Sequence, residues 1–172
     1  MNIFELYEKY LEKKERKETH SDGTYISAQL SKVDSKNLYE WCLDNKIPNL
    51  ADPEQYHATI IYSRKGIPEV KTFKFDTPIT ASIEGWDIFP TQTGGKCLVA
   101  RLESSELTKY HKTIMSEYKA TFDYDSYKPH ITVSYDYDKN SPPKECPKDL
   151  VVFSKVEVKA LDPQFEPKKA SK

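Results

Sequence analysis

No apolar run in the 172-residue sequence approaches the roughly 18 residues needed to cross a bilayer, so a membrane-spanning helix is excluded. The opening Met1-Asn2-Ile3-Phe4-Glu5 lacks the basic start and apolar stretch of a secretory signal, and a cytoplasmic location is expected. Cysteine is sparse. Cys42, Cys97 and Cys146 are odd in number and contain no C-x-x-C pair, which excludes a disulfide framework and a zinc ribbon. An excess of positive charge is missing too: 26 basic and 27 acidic side chains leave a formal net charge of −1. Neutralising phosphates drives the grip on a long nucleic acid, so the balance argues against duplex DNA or long RNA as the main partner. A small anionic ligand in a local pocket stays compatible with it. Arginine is scarce, with only Arg16, Arg64 and Arg101.

The length suits one domain with a sizeable core, expected over residues 1–163 with a frayed tail at 164–172. Twelve tyrosines supply amphipathic rings for both a core and a cleft. Phe4, Tyr7 and Leu11 recur at helical spacing and predict a helix over 4–17, broken at His20-Ser21-Asp22-Gly23. A strand follows over 24–30. A second helix, capped by Asp34 or Ser35, runs to about Asn45 with Leu38, Trp41 and Cys42 on its inner face. The β-rich run 56–62 comes next, then strands expected near 71–75 and 79–89. Gly94-Gly95 marks a hairpin turn into a strand over 97–102. Ser104 or Ser105 caps a helix with Leu107, Tyr110, Ile114 and Tyr118 on one face. Strands over 130–135 and 150–160 complete the chain.

That order repeats. Gly23 stands 34 positions before His57, and Lys96 stands 34 positions before His130. Each half reads strand, helix, proline-containing loop, His-x-Thr strand, further strand, which predicts two β-α-β-β lobes (about 23–95 and 96–160) around a central cleft.

Residues two apart on a strand share a face. His57 therefore projects with Thr59, and His130 with Thr132 and Ser134. Facing one another, the two strands supply a base, an acid and two hydroxyl donors around one small anion. Breaking a phosphodiester by attack of a ribose hydroxyl needs one group to take the hydroxyl proton and another to protonate the departing oxygen. Histidine serves both tasks because its ordinary pKa is about 6.5. The threonines would donate to non-bridging phosphate oxygens, and the chemistry asks for no metal or other cofactor. A third H-x-T, His111-Lys112-Thr113, falls in a helical stretch where positions two apart diverge by about 200°, so its side chains do not act together.

Twin H-x-T motifs in two pseudo-symmetric halves, Tyr56-His57-Ala58-Thr59-Ile60-Ile61 and Pro129-His130-Ile131-Thr132-Val133, resemble the two-histidine phosphoesterase superfamily over most of residues 23–160. Within it the chain is most similar to the phage anti-CBASS phosphodiesterases, which destroy the cyclic oligonucleotide signals of bacterial immunity. The features behind the narrower likeness are the opening helix, Gly23-Thr24-Tyr25 and Tyr62-Ser63-Arg64-Lys65. The resemblance implies an α+β fold with antiparallel sheets flanking the cleft and helices outside. It also implies metal-independent cleavage of 3′-5′ bonds in cyclic di- or trinucleotides, with His57 and His130 as the acid/base pair and Thr59 and Thr132 as phosphate holders. Tyr25 and Trp86 are the candidates for stacking on ligand bases, and Glu157 for accepting from a base amino group. Two alternatives stand beside this reading: a phosphodiesterase of RNA ends with 2′,3′-cyclic or 2′-5′ linkages, and a sponge that holds cyclic nucleotides uncut. Thr91-Gln92-Thr93-Gly94-Gly95-Lys96 lacks the spacing of a phosphate loop, and the basic residues of 13–17 read as a solvated helix end.

Overall fold

The computed structural model describes residues 2–7, 23–75, 78–91 and 94–161. Residues 3–7 are helical. The rest of the expected opening helix, with the basic residues of 13–17, and the expected tail from Gln164 lie outside the described residues.

Strand β1 (Thr24–Leu30) alternates: Ile26, Ala28 and Leu30 are buried in the core, while Tyr25, Ser27 and Gln29 take the opposite face. Gly23 opens it because no side chain fits there; a Cβ would stand 2.3 Å from the Ser63 carbonyl oxygen. Helix α1 (Lys32–Asp44) is capped by Ser31, one turn earlier than the sequence predicts. Asp34 is not the cap because its carboxylate accepts the Val152 N–H at 2.7 Å, tying the first turn of α1 to the last strand. Strand β2 (His57–Ser63) follows a short 3₁₀ turn, Pro53–Gln55.

The strand expected over 71–75 is not one. Pro68–Thr72 forms a 3₁₀ turn instead, with proline in its first turn. Residues three apart share a face in that geometry, so Val70 is wholly buried and Phe73 packs against the same cluster.

Strands β3 (Ile79–Pro90) and β4 (Lys96–Glu103) form the expected hairpin. Its turn is closed by the Thr91 N–H donating to the Gly95 carbonyl at 2.8 Å, with Gly94 at φ +86°. Helix α2 (Ser105–Tyr118) is capped by Ser104 and buries Leu107, Tyr110 and Ile114. Strands β5 (His130–Ser134) and β6 (Val151–Ala160) complete the fold. Among the described residues no helix is long and apolar enough to cross a membrane.

The six strands, all antiparallel to their neighbours, close in the order β1-β2-β5-β4-β3-β6. The two halves seen in the sequence exchange their last strands: β3 pairs along its length with β4, and β6 with β1. The inner faces of both helices join Ala58, Ile60, Leu98, Ala100, Ile131, Val133 and Phe153 in one apolar cluster. Covering that face leaves the polar face of the strands to line a cavity. A smaller cluster of Leu6, Tyr7, Tyr62 and Leu161 packs at one end of it.

Candidate active site

The two histidine strands meet at one pair of residues, Ala58 opposite Ile131. In antiparallel register this sets His57 across from Thr132 and Thr59 across from His130. All four lie on one face, with opposed Cβ atoms about 5 Å apart. On their outer sides, His57 is paired with Gln29 of β1 and His130 with Arg101 of β4.

Each imidazole is held in the same way. His57 Nδ1 lies 2.7 Å from the carbonyl of Gln55, and His130 Nδ1 lies 2.9 Å from the carbonyl of Lys128, two residues back in both cases. A carbonyl only accepts, so both Nδ1 atoms carry hydrogen and the Nε2 atoms are left to exchange protons with a ligand. A proline sets up each carbonyl. Pro53 begins the turn that ends at Gln55, while Pro129 keeps Lys128 extended and accepts the Leu102 N–H at 3.0 Å.

Burial pushes both imidazoles below the ordinary histidine range, and the carbonyl hydrogen bonds act against it. Smaller contributions come from Lys159 (lowering) and Glu157 (raising) at His57, and from His57 (lowering) and Asp87 (raising) at His130. His111 is lowered by burial as well. A group with a depressed pKa binds its proton better in the unfolded chain. Its stabilising contribution is therefore complete above about pH 6.5 and is lost as the pH falls through the folded value. The melting temperature in a buffer series is accordingly expected to fall from pH 7 to pH 5; an unchanged or rising value would contradict these environments.

Thr59 is also held. The Tyr25 and Thr59 hydroxyls are hydrogen-bonded at 2.8 Å, and the Tyr127 hydroxyl donates to the Thr59 carbonyl at 2.6 Å. A cavity of about 330 Å³ opens beside them, lined by Tyr25, Gln29, His57, Thr132, Tyr135 and Glu157 among others. Glu157 is ionised: Lys159 and Lys155 each stand 2.9 Å from one of its oxygens and hold its pKa down. Among the described residues no three His, Cys, Asp or Glu side chains gather as metal ligands.

Of the residues picked from sequence, His57, Thr59, His130, Thr132, Tyr25 and Glu157 lie on this face. Trp86 does not. It is 7% exposed, stacks on Trp41 with ring centroids 5.5 Å apart, and donates its indole N–H to the Glu145 carbonyl at 2.8 Å. Its neighbours Asp87 and Phe89 alternate onto the cleft face instead, and Phe89 meets the His130 ring edge-on at 5.7 Å. Period-two reading of that strand would have found them. Trp86→Phe is expected to lower stability by about 0.5–1.5 kcal/mol, by removing the indole hydrogen bond to the Glu145 carbonyl, and to leave KM unchanged. A raised KM with unchanged stability, by denaturation and steady-state kinetics, would return Trp86 to the site.

Sequence reasoning also missed Tyr135, Gln29 and Lys159; the last two were legible as the i+4 mate of Tyr25 and the i+2 mate of Glu157. His111 of the third H-x-T is structural. It is bonded to the Ile60 carbonyl at 2.7 Å and stacked on Tyr127 at 4.2 Å. Arg64 is ion-paired with Asp123.

The family model described as anti-CBASS protein Acb1 matches residues 22–168. The anti-CBASS protein Acb1 of Vibrio phage KVP40 is 31% identical over 147 residues, which is 86% of this chain and 88% of that protein. That of Yersinia phage phiR1-RT is 30% identical over 126 residues, covering 73% and 79% respectively. Among solved structures, one of a phosphoesterase superposes with a TM-score of 0.55 at 10% identity, covering 88% of this chain and 97% of that one. Escherichia coli LigT complexed with 3′-AMP gives a TM-score of 0.51 at 12% identity, covering 88% and 96%. These structures share the two-histidine phosphoesterase fold with this chain.

Proposed function

The chain belongs to the anti-CBASS Acb1 family, and on that premise we propose that it is a phosphodiesterase that breaks 3′-5′ bonds in cyclic di- and trinucleotide immune signals. The observation that carries the reading is the single Ala58–Ile131 pairing, which puts the strand of His57 and Thr59 beside the strand of His130 and Thr132, each histidine with its Nδ1 on a backbone carbonyl. One imidazole takes the proton of a ribose 2′-hydroxyl as its oxygen bonds to phosphorus. The other gives a proton to the 5′-oxygen as the P–O5′ bond breaks. Charge gathers on the non-bridging oxygens, where Thr59 and Thr132 donate. Acid/base catalysis of this kind needs no metal ion. Its site of action would be the cytoplasm of an infected bacterium, where such signals are made.

A panel of 3′,3′-cyclic GMP–AMP, cyclic trinucleotides, 2′,3′-cyclic AMP and 2′-5′ oligoadenylate, incubated in excess EDTA, tests this. Turnover of the cyclic oligonucleotides to linear products, identified by mass spectrometry, is expected. Faster turnover of the 2′,3′-cyclic or 2′-5′ substrates would move the function to RNA ends, and unaltered ligand after long incubation would leave a sponge.

A further inference from the structure

We propose that Tyr25 is a positioning residue that fixes the direction of the Thr59 hydroxyl proton, turning that threonine into a committed donor toward the bound phosphate. This rests on the functional reading above and adds a role to it.

A threonine hydroxyl has one proton and two lone pairs. On its own it accepts as readily as it donates, and a hydroxyl whose proton points away from an anion presents a lone pair to it. Thr59 is not on its own: its Oγ1 stands 2.8 Å from the Tyr25 hydroxyl. Two arrangements are open to the pair. If threonine donates to tyrosine, its proton is used up and nothing is left for the phosphate. If tyrosine donates, one threonine lone pair is filled and the proton is free to face the cleft. An anion in the cleft selects the second order, because it gives two donor bonds in series where the first gives one donor and one repelled lone pair.

The surroundings hold Tyr25 to that task. Burial pushes its phenol above the ordinary tyrosine range, so it keeps its proton at any pH at which the histidines work. The Tyr25 ring is fixed edge-on between His57 and Tyr62, at 6.3 and 6.1 Å. The Thr59 backbone is anchored separately by Tyr127, so its hydroxyl is the free variable that Tyr25 sets.

Tyr25 reaches Thr59 from β1, on the far side of a bulge at Ile26/Ser27, so the contact crosses from one strand to its neighbour.

The test is a double-mutant cycle of Tyr25→Phe with Thr59→Ala. The phenylalanine keeps the ring and removes only the hydroxyl. Tyr25→Phe is expected to lower kcat on 3′,3′-cyclic GMP–AMP about tenfold, the effect of one hydrogen bond to a charged centre, with KM within twofold and the melting temperature unchanged. In the Thr59→Ala background the same change is expected to alter kcat less than twofold, because its target is gone. Additive losses, or full activity of Tyr25→Phe, would overturn the relay while leaving the phosphodiesterase reading intact. Should the wild type cut none of the panel substrates, the functional reading fails. The relay is then decided by NMR titration with inorganic phosphate: Tyr25→Phe must weaken binding in the wild-type background and not in Thr59→Ala.

Discussion

His57→Ala and His130→Ala are each expected to lower kcat on a cyclic dinucleotide by about 10²–10⁴-fold, the range for losing a general acid or base. Both effects should be of similar size because the two rings are presented alike, each by a carbonyl two residues back that reserves Nε2 for the substrate. The double variant is expected to fall well short of the product of the two, since neither proton transfer proceeds without the other. The wild-type kcat/KM should be bell-shaped with pH, one limb from each imidazole. Because burial depresses both, the free-enzyme limbs should lie below the pH at which ordinary histidine titrates. Each alanine variant should lose one limb. Equal activity of either variant and the wild type would remove that histidine from the chemistry.

Thr59→Ala and Thr132→Ala follow in size, with an expected loss of about 10²–10³-fold in kcat, comparable to deleting one donor from an oxyanion hole. The reasoning is electrostatic. The non-bridging oxygens gain charge as the 2′-oxygen attacks, so a fixed donor helps the transition state more than the ground state. KM should move little. Serine at either position should recover most of the rate, since it restores the hydroxyl. Valine, close in shape to threonine but with no hydroxyl, should not. Substrates with sulfur in one non-bridging position give an independent reading: each variant is expected to be indifferent to one of the two diastereomers that the wild type distinguishes. A loss below about threefold at both positions would mean that the phosphate is held elsewhere.

Much of this site was legible before any coordinates. Period-two alternation put His57 with Thr59 and His130 with Thr132, and the matched spacing from Gly23 and from Lys96 implied that the two pairs face one another. Pairing partners were not legible. The single Ala58–Ile131 contact that sets the four residues opposite depends on which strands become neighbours, and local pattern says nothing about that. Trp86 misled because tryptophan beside Gly85 and Asp87 suggests an exposed stacking surface. The bulge between Ile83 and Gly85 and the stack on Trp41 turn it inward. The expectation of a strand over 71–75 overlooks Pro68, which favours a tighter turn that buries Val70 and seats Phe73 against the core. Tyr135 escaped notice because it lies one residue past the end of β5, where strand alternation does not forecast that it lines the cavity.

The crosswise lending of β3 and β6 has a bearing on how the molecule is made. Neither the first ninety-odd residues nor the remainder holds a finished sheet, because each stretch lacks the edge that the other supplies. Translation must therefore run past Val151 before β1 finds its outer neighbour. A polypeptide halted before that point leaves the ribosome with that edge bare, prone to pair with whatever strand it meets.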